Sequence, residues 1–253
     1  MAIVRRSMTG SALHRQLALA QSVIIDGRQR LAKRIATSDL EHRYQANYFE
    51  LGHRTPWIPE LPISSLKGGT ASYSLLFVLL SLLRSGSFTS VLELGVGQST
   101  QLIGPYVACD PGRSSVHVES DAGWLELALA TSPRSMGLHA PLTRTTVDGR
   151  SIEWYGCERP TQKFDLVLVD GPSAWEAPNR YNRLGILGWL PHILADEFVL
   201  CIDDSSRPGE RRLAAEAETL ITSSRPGVRR ATFVGATTQT LLVSPEYQWS
   251  IYI

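Results

Sequence analysis

Apolar residues along this chain fall into two regimes, short near-continuous runs and longer stretches at helical spacing, and the two alternate. The runs at 90–94, 115–118, 138–147, 164–169 and 198–202 read as strands. Their density in Val, Leu and Ile is that of a parallel sheet covered on both faces. Helices are predicted from 99 to about 107, over 122–130 and over 208–221, each following a strand. A strongly apolar helix over 70–83 should pack flat on the sheet ahead of the first strand. Residues 151–155, entered through Asp148-Gly149-Arg150, read as a short antiparallel excursion. The runs 229–234 and 239–243, separated by a polar turn, read as a hairpin. Strand and helix in this alternation predict an α/β fold: a doubly wound, mostly parallel sheet that ends in an antiparallel hairpin.

The N-terminal part is organised differently. Leu13, Leu17, Ala20, Ile24, Leu31 and Ile35 recur at helical spacing with Arg and Gln on the other side, which predicts an amphipathic helix. That helix packs on its own domain, pairs with a second copy in a homo-oligomer, or touches an acidic surface. A second helical stretch, 39–51, carries Tyr44, Tyr48 and Phe49 as core or interface aromatics. Residues 54–69, with Pro56, Pro59, Pro62, Gly68 and Gly69, read as a loop that either covers a site or links two parts. The expected division is a helical extension over 1–60 and one domain over 61–253.

Composition narrows the class. A chain of 253 residues with 43% hydrophobic content can bury one substantial core. Its net charge of +1 argues against a general nucleic-acid binder, although Arg5, Arg6, Arg15, Arg28, Arg30, Lys33 and Arg34 gather at the start against Asp26 alone. That basic start has the composition of a transit peptide and equally of a solvated helix face. Cys109, Cys157 and Cys201 lie far apart, which supports neither a zinc site nor a disulfide framework and makes a reducing, cytoplasmic setting the default. The longest apolar run, 74–83, is well short of the ~18 residues of a membrane span.

The densest chemical signal is Glu93-Leu94-Gly95-Val96-Gly97-Gln98-Ser99-Thr100, where a predicted strand turns directly into a predicted helix. Glycine permits backbone angles and close approach denied to other residues, and a helix start leaves N–H groups unpaired, so such a bend is a ligand seat. Its other reading is plain strand-to-helix packing. The dinucleotide fingerprint wants a third glycine where Thr100 stands. An acid two residues before the first glycine also suits a cationic ligand better than a diphosphate. One strand–helix–strand unit later Glu119 ends the next strand, which places both carboxylates at one edge of the sheet. There an acid can accept two hydrogen bonds from a ribose diol, or Glu119 or Asp121 caps the helix that follows.

Acids end the two later strands as well, Asp170 before Gly171-Pro172 and then Asp203-Asp204. Neighbouring strands lie about 5 Å apart. Three carboxylates that close require a raised pKa or a cation among them. A hard divalent ion such as magnesium suits oxygen ligands of this kind. The competing reading has Asp203 or Asp204 capping the next helix and Arg207 neutralising a partner. Between these strands, 174–190 is polar and aromatic, with Trp175, Tyr181, Asn182, Arg180 and Arg183, and is where acceptor contacts are expected. The two arginines would favour an acidic or phosphorylated acceptor.

The spacing of Glu93, Gly95 and Gly97 resembles the first motif of class I S-adenosylmethionine-dependent methyltransferases, and the order of elements from about 70 to 243 is similar to theirs. The resemblance implies a Rossmann-like methyltransferase fold with a seven-stranded sheet. It implies S-adenosylmethionine as cofactor, with Glu93, Gly95, Gly97, Ser99, Thr100, Glu119 and Asp170 around it and, by topology, the adenine near His139 and Ala140. Asp170, Asp203 and Asp204 resemble the magnesium ligands of metal-dependent O-methyltransferases, including the catechol and macrolide-sugar enzymes. Catechol-type enzymes carry a lysine three residues after the first aspartate, where this chain has Ser173; no residue type fixes the general base, and Asp170 is the candidate for the catalytic edge. The implied reaction is methyl transfer to a hydroxyl of a small-molecule or sugar acceptor. Two other classes stay open. A nicotinamide-dependent oxidoreductase has Thr100 and the lack of a Tyr-x-x-x-Lys pair against it. A non-enzymatic module would use its basic N-terminal helix to recruit a partner.

Overall fold

A computed structural model describes residues 36–64, 70–130 and 132–253. The amphipathic helix expected over 13–35 lies outside the described residues. Helix α1 covers 36–53 and α2 spans Tyr73–Ser85. Then β1 (Ser90–Leu94), α3 (Thr100–Ala108), β2 (Ser114–Glu119), α4 (Ala122–Leu129) and β3 (Met136–His139) make the first half. The second half holds β4 (Leu142–Val147), β5 (Arg150–Tyr155), β6 (Phe164–Val169), a 3₁₀ helix (Asn182–Gly188), β7 (Leu194–Ile202), α5 (Pro208–Thr222), β8 (Arg229–Val234) and β9 (Thr238–Val243).

Seven strands form one sheet in the order β3-β2-β1-β6-β7-β9-β8. It is parallel from β3 to β7, and β9 runs antiparallel to both its neighbours. This is the doubly wound, seven-stranded Rossmann-like arrangement expected from the sequence. Alternation along the strands feeds two cores. Leu92, Leu94, Val167, Val169 and Leu200 pack with α5 and the 3₁₀ helix, while Val91, Leu166, Leu168 and Val199 pack under α2 and α3. Each fully buried Leu or Val contributes about 1.5–3 kcal/mol of transfer free energy, which is why β6, buried along its whole length, sits at the centre. Among the described residues no helix is long and apolar enough to cross a membrane.

The run 138–147 does not form one strand. Its first part belongs to β3 at the edge of the main sheet, whereas β4 leaves that sheet and pairs antiparallel with β5. Pro141 lies at the break and lacks an N–H for the ladder. Beyond it, Leu142–Val147 is exposed along its middle and half-buried only at its two ends, and Asp148 and Gly149, both at positive φ (47° and 71°), make the two-residue turn.

The described part of the expected extension is continuous with the domain. Tyr48 of α1 is fully buried against Tyr73, and its hydroxyl donates to the Pro62 carbonyl at 3.0 Å. Glu41 accepts from the Tyr73 N–H (2.5 Å) at the start of α2 and from the Ala236 N–H (2.7 Å) in the β8–β9 turn.

Candidate active site

The connection after β1 leads to β2 on one side, and β6 lies on the other, so the crevice at the carboxyl ends of β1 and β6 is the topological switch point where ligands of such sheets bind. A cavity of about 1040 Å³ opens there. Gly95, Gly97, Ser99, Glu119, Asp170, Asp203 and Asp204 all line it, whereas Glu93 and Thr100 do not.

Two glycines shape the floor for different reasons. Gly95 has φ +83° and touches the β6 tip so closely that a Cβ would stand 2.7 Å from Gly171 Cα. Among the described residues, Gly97 has open space where a Cβ would be, with no atom within 4 Å. The room it preserves belongs to the cavity.

The N–H groups of Gly95, Val96 and Gly97 are already bonded. Gly95 donates to the Val118 carbonyl at 2.9 Å, Val96 to Glu119 Oε2 at 3.2 Å and Gly97 to Thr100 Oγ1 at 3.0 Å. Thr100 in turn donates to Glu93 Oε2 at 2.7 Å. Glu93 and Thr100 are fully buried beneath the bend, against the expectation that they face a ligand: they support the bend from below. The threonine in the place of a third glycine thus takes up an amide that a dinucleotide loop would offer to phosphate. Glu119 reaches the cavity, and its other oxygen accepts from the Ser120 (2.6 Å) and Asp121 (3.0 Å) amides. Asp121, not Glu119, caps α4 by accepting from the Trp124 N–H at 2.8 Å. Trp124 donates through Nε1 to the Val96 carbonyl at 2.8 Å and lines the cavity wall.

At the other end, oxygens of Asp170, Asp203 and Asp204 lie within 4.8 Å of one another. Arg183, only 5% exposed, is threaded through this cluster. Its guanidinium donates to Asp170 Oδ1 (3.2 Å) and Asp204 Oδ2 (3.4 Å), and to the carbonyls of Pro172 (3.1 Å) and Asp203 (3.4 Å). Glu210 of α5, fully buried, faces Nε at 3.6 Å. The expectation that Arg183 selects an acidic acceptor is therefore corrected, because its charge is spent inside the protein. Asp203 Oδ1 accepts from Gln239 (2.7 Å) and Thr237 (3.0 Å), and Asp204 pairs with Arg207 at 2.7 Å. The N-cap of α5 is Arg207, so neither aspartate caps that helix.

Four carboxyls face two guanidiniums here, and the excess negative charge is expressed as raised pKa values. Burial, then the charge of Asp203, pushes Asp170 well above the carboxylate range, although Arg183 pulls the other way. The same causes raise Asp204 to about 6, against Arg183 and Arg207. Asp170 keeps 27% of its side chain open to the cavity, so it remains within reach of a ligand.

Trp175, 71% exposed, and Ser173 line the cavity from the loop after β6. Asn182 does not. It is buried, and its Oδ1 accepts from the Glu153 N–H at 3.0 Å. His139 and Ala140, expected near the adenine, are not among the lining residues; Ala140 packs in the core. Thr237 and Gln98 line the site without having been expected there. Gln98 accepts from the Ala71 N–H at 2.9 Å and donates to the Ile63 carbonyl, joining the loop ahead of α2 to the bend.

No family model matches the chain, and no curated protein does. Among solved structures it is similar to an O-methyltransferase from Bacillus cereus in complex with SAH, at 14% identity, with 83% of this chain and 99% of that one covered and a TM-score of 0.48. It is also similar to the O-methyltransferase TomG from Streptomyces achromogenes, involved in tomaymycin synthesis and in complex with SAM. There the identity is 17%, the coverage 83% and 97%, and the TM-score 0.48. At such values a shared chain path does not fix chemistry, which lives in the residues of the site.

Proposed function

We propose that the chain transfers a methyl group from S-adenosylmethionine to a hydroxyl oxygen of a small-molecule or sugar acceptor. The observation that carries this reading is the bend itself. Its three consecutive N–H groups are all satisfied internally, and carboxylates stand behind two of them, Glu119 directly and Glu93 through Thr100. Such a seat has negative potential and no spare donors among those amides, which favours a sulfonium and ammonium ligand and disfavours the diphosphate of a nicotinamide dinucleotide. We assign the ribose diol to Glu119, which lines the cavity, and the ligand backbone to the space beside Gly97. The cavity is at the upper end of the usual range for small-molecule sites, with room for a nucleoside cofactor and an acceptor together.

In the reaction the C–S bond of the sulfonium breaks as the C–O bond to the acceptor forms, and the hydroxyl proton leaves. Asp170 is the residue we assign to receive it, since its carboxyl is the acid at the tip of β6 that keeps an open edge on the cavity. Most of the rate comes from holding the two reactants in line. The donor set of Asp170, Asp203 and Asp204 fits a hard divalent ion in chemistry and in excess charge. Those three would hold magnesium, which when bound lowers the pKa of an acceptor hydroxyl and orients it. A cytoplasmic setting and self-association through the basic segment 1–38 belong to the same reading. Incubation with methyl-labelled S-adenosylmethionine and a panel of phenols, polyols and sugars tests it. Label should appear in a methyl ether of at least one acceptor class, and label in no methyl ether of the panel would refute oxygen transfer to these acceptors.

A further inference from the structure

A line of buried polar side chains runs from the cofactor bend into the interior of the sheet. Glu93 Oε2 receives the Thr100 hydroxyl at 2.7 Å and lies 2.5 Å from His117 Nδ1. His117 Nε2 lies 2.9 Å from Ser115 Oγ, which donates to Ser135 at 2.8 Å. Glu93, His117 and Thr100 have no exposed surface, and Ser115 has 2%. The β1–β2 register sets Glu93 directly opposite His117. An ionisable pair inside a sheet costs more than an apolar pair of the same size, so a role beyond filling space is indicated.

Hydrogen-bond directions supply that role. A carboxylate only accepts, so the proton on this side of the ring sits on Nδ1 of His117 and the Thr100 hydroxyl gives its single proton to Glu93. The lone pairs of Thr100 are then turned toward the Gly97 N–H, which donates to them at 3.0 Å. The second oxygen of Glu93, Oε1, is buried and has no hydrogen-bond partner among the described residues, so there the carboxylate is oriented through Oε2. His117 holds Glu93, Glu93 sets Thr100, and Thr100 sets the bend.

We propose that His117 is a positioning residue for cofactor binding, fixing the Gly95–Gly97 bend through Glu93 and Thr100 in the form that receives S-adenosylmethionine. This deepens the function proposed above and rests on it for the identity of the ligand, though not for the coupling of His117 to the bend.

The test uses the full chain in two arms, amide hydrogen exchange at Gly97 without ligand and calorimetric titration with S-adenosylhomocysteine. His117→Gln removes the Nδ1 donor while keeping a polar end near Ser115, and His117→Asn keeps a donor near Nδ1. In H117Q the Gly97 amide should exchange about tenfold faster and S-adenosylhomocysteine should bind about tenfold more weakly, the loss of roughly one charge-assisted hydrogen bond. Core amides such as Leu200 of β7 should exchange as before, and H117N should recover most of the affinity. Thr100→Val leaves the buried His–Glu pair intact and should reproduce H117Q, which keeps the test open if H117Q does not fold. Unchanged Gly97 exchange in a folded H117Q, or in T100V, overturns the inference. A wild-type chain that takes no S-adenosylhomocysteine overturns the function instead, while Gly97 exchange still decides the coupling.

Discussion

Arg183 reaches Asp170 twice, donating through Nη2 to the carboxylate Oδ1 at 3.2 Å and to the main-chain carbonyl of the same residue. One guanidinium therefore fixes both the side chain and the backbone at the tip of β6, while its other nitrogens hold Asp204 and the carbonyls beside it. Arg183→Lys keeps the charge and loses the fork. We expect R183K to fold and to lose about 10²-fold in turnover, the size of effect seen when reacting groups shift by about 1 Å. Arg183→Met leaves Asp170 and Glu210 without their cation, Asp204 keeping Arg207, and should cost about 3–5 kcal/mol of stability, measured by urea unfolding. Wild-type turnover in R183K would remove the arginine from the account.

The two glycines of the bend should separate when each is changed to alanine. Gly95→Ala forces a side chain to φ +83° against Gly171, and thermal unfolding should register a loss of about 1–3 kcal/mol or more. Gly97→Ala meets no protein atom, so its stability should stay within about 0.5 kcal/mol of wild type while S-adenosylhomocysteine binding falls by tenfold or more. Undiminished binding in G97A would mean that the space is not the ligand's.

Trp175 is mostly solvent-facing on the cavity rim. Trp175→Ala should leave the melting temperature and S-adenosylhomocysteine affinity alone and reduce label transfer to the best acceptor of the panel by about tenfold or more, the loss of one aromatic contact of 1–2 kcal/mol. A change in cofactor affinity with transfer intact would place Trp175 at the other end of the cavity.

Sequence punctuation made the strand ends readable. Glu119 and Asp170 close apolar runs and are followed by Ser-Asp and Gly-Pro, so their arrival at one cavity followed from the fold. The inward turn of Glu93 was not readable, because it depends on β2 bringing His117 opposite, a matter of register between strands. Arg183 was harder still. It lies in a stretch with loop composition, and its burial comes from a 3₁₀ helix packed beside α5, which presents Glu210. The strand expected over 138–147 failed at Pro141, where a missing N–H outweighed the apolar pattern.

The acidic cluster makes a prediction about metal. Turnover should fall on treatment with a chelator and return with magnesium, and Asp203→Ala should lose that dependence along with activity. Equal turnover with and without chelator would leave Arg183 and Arg207 as the answer to the excess charge.

The central claim is that the Gly95–Gly97 bend receives a sulfonium nucleoside. Calorimetric titration of the wild-type chain with S-adenosylhomocysteine, and in parallel with NADH, tests it most directly. The account predicts saturable one-to-one binding of the nucleoside and no heat from the dinucleotide. Binding of NADH at this site, or no binding of S-adenosylhomocysteine, would contradict it.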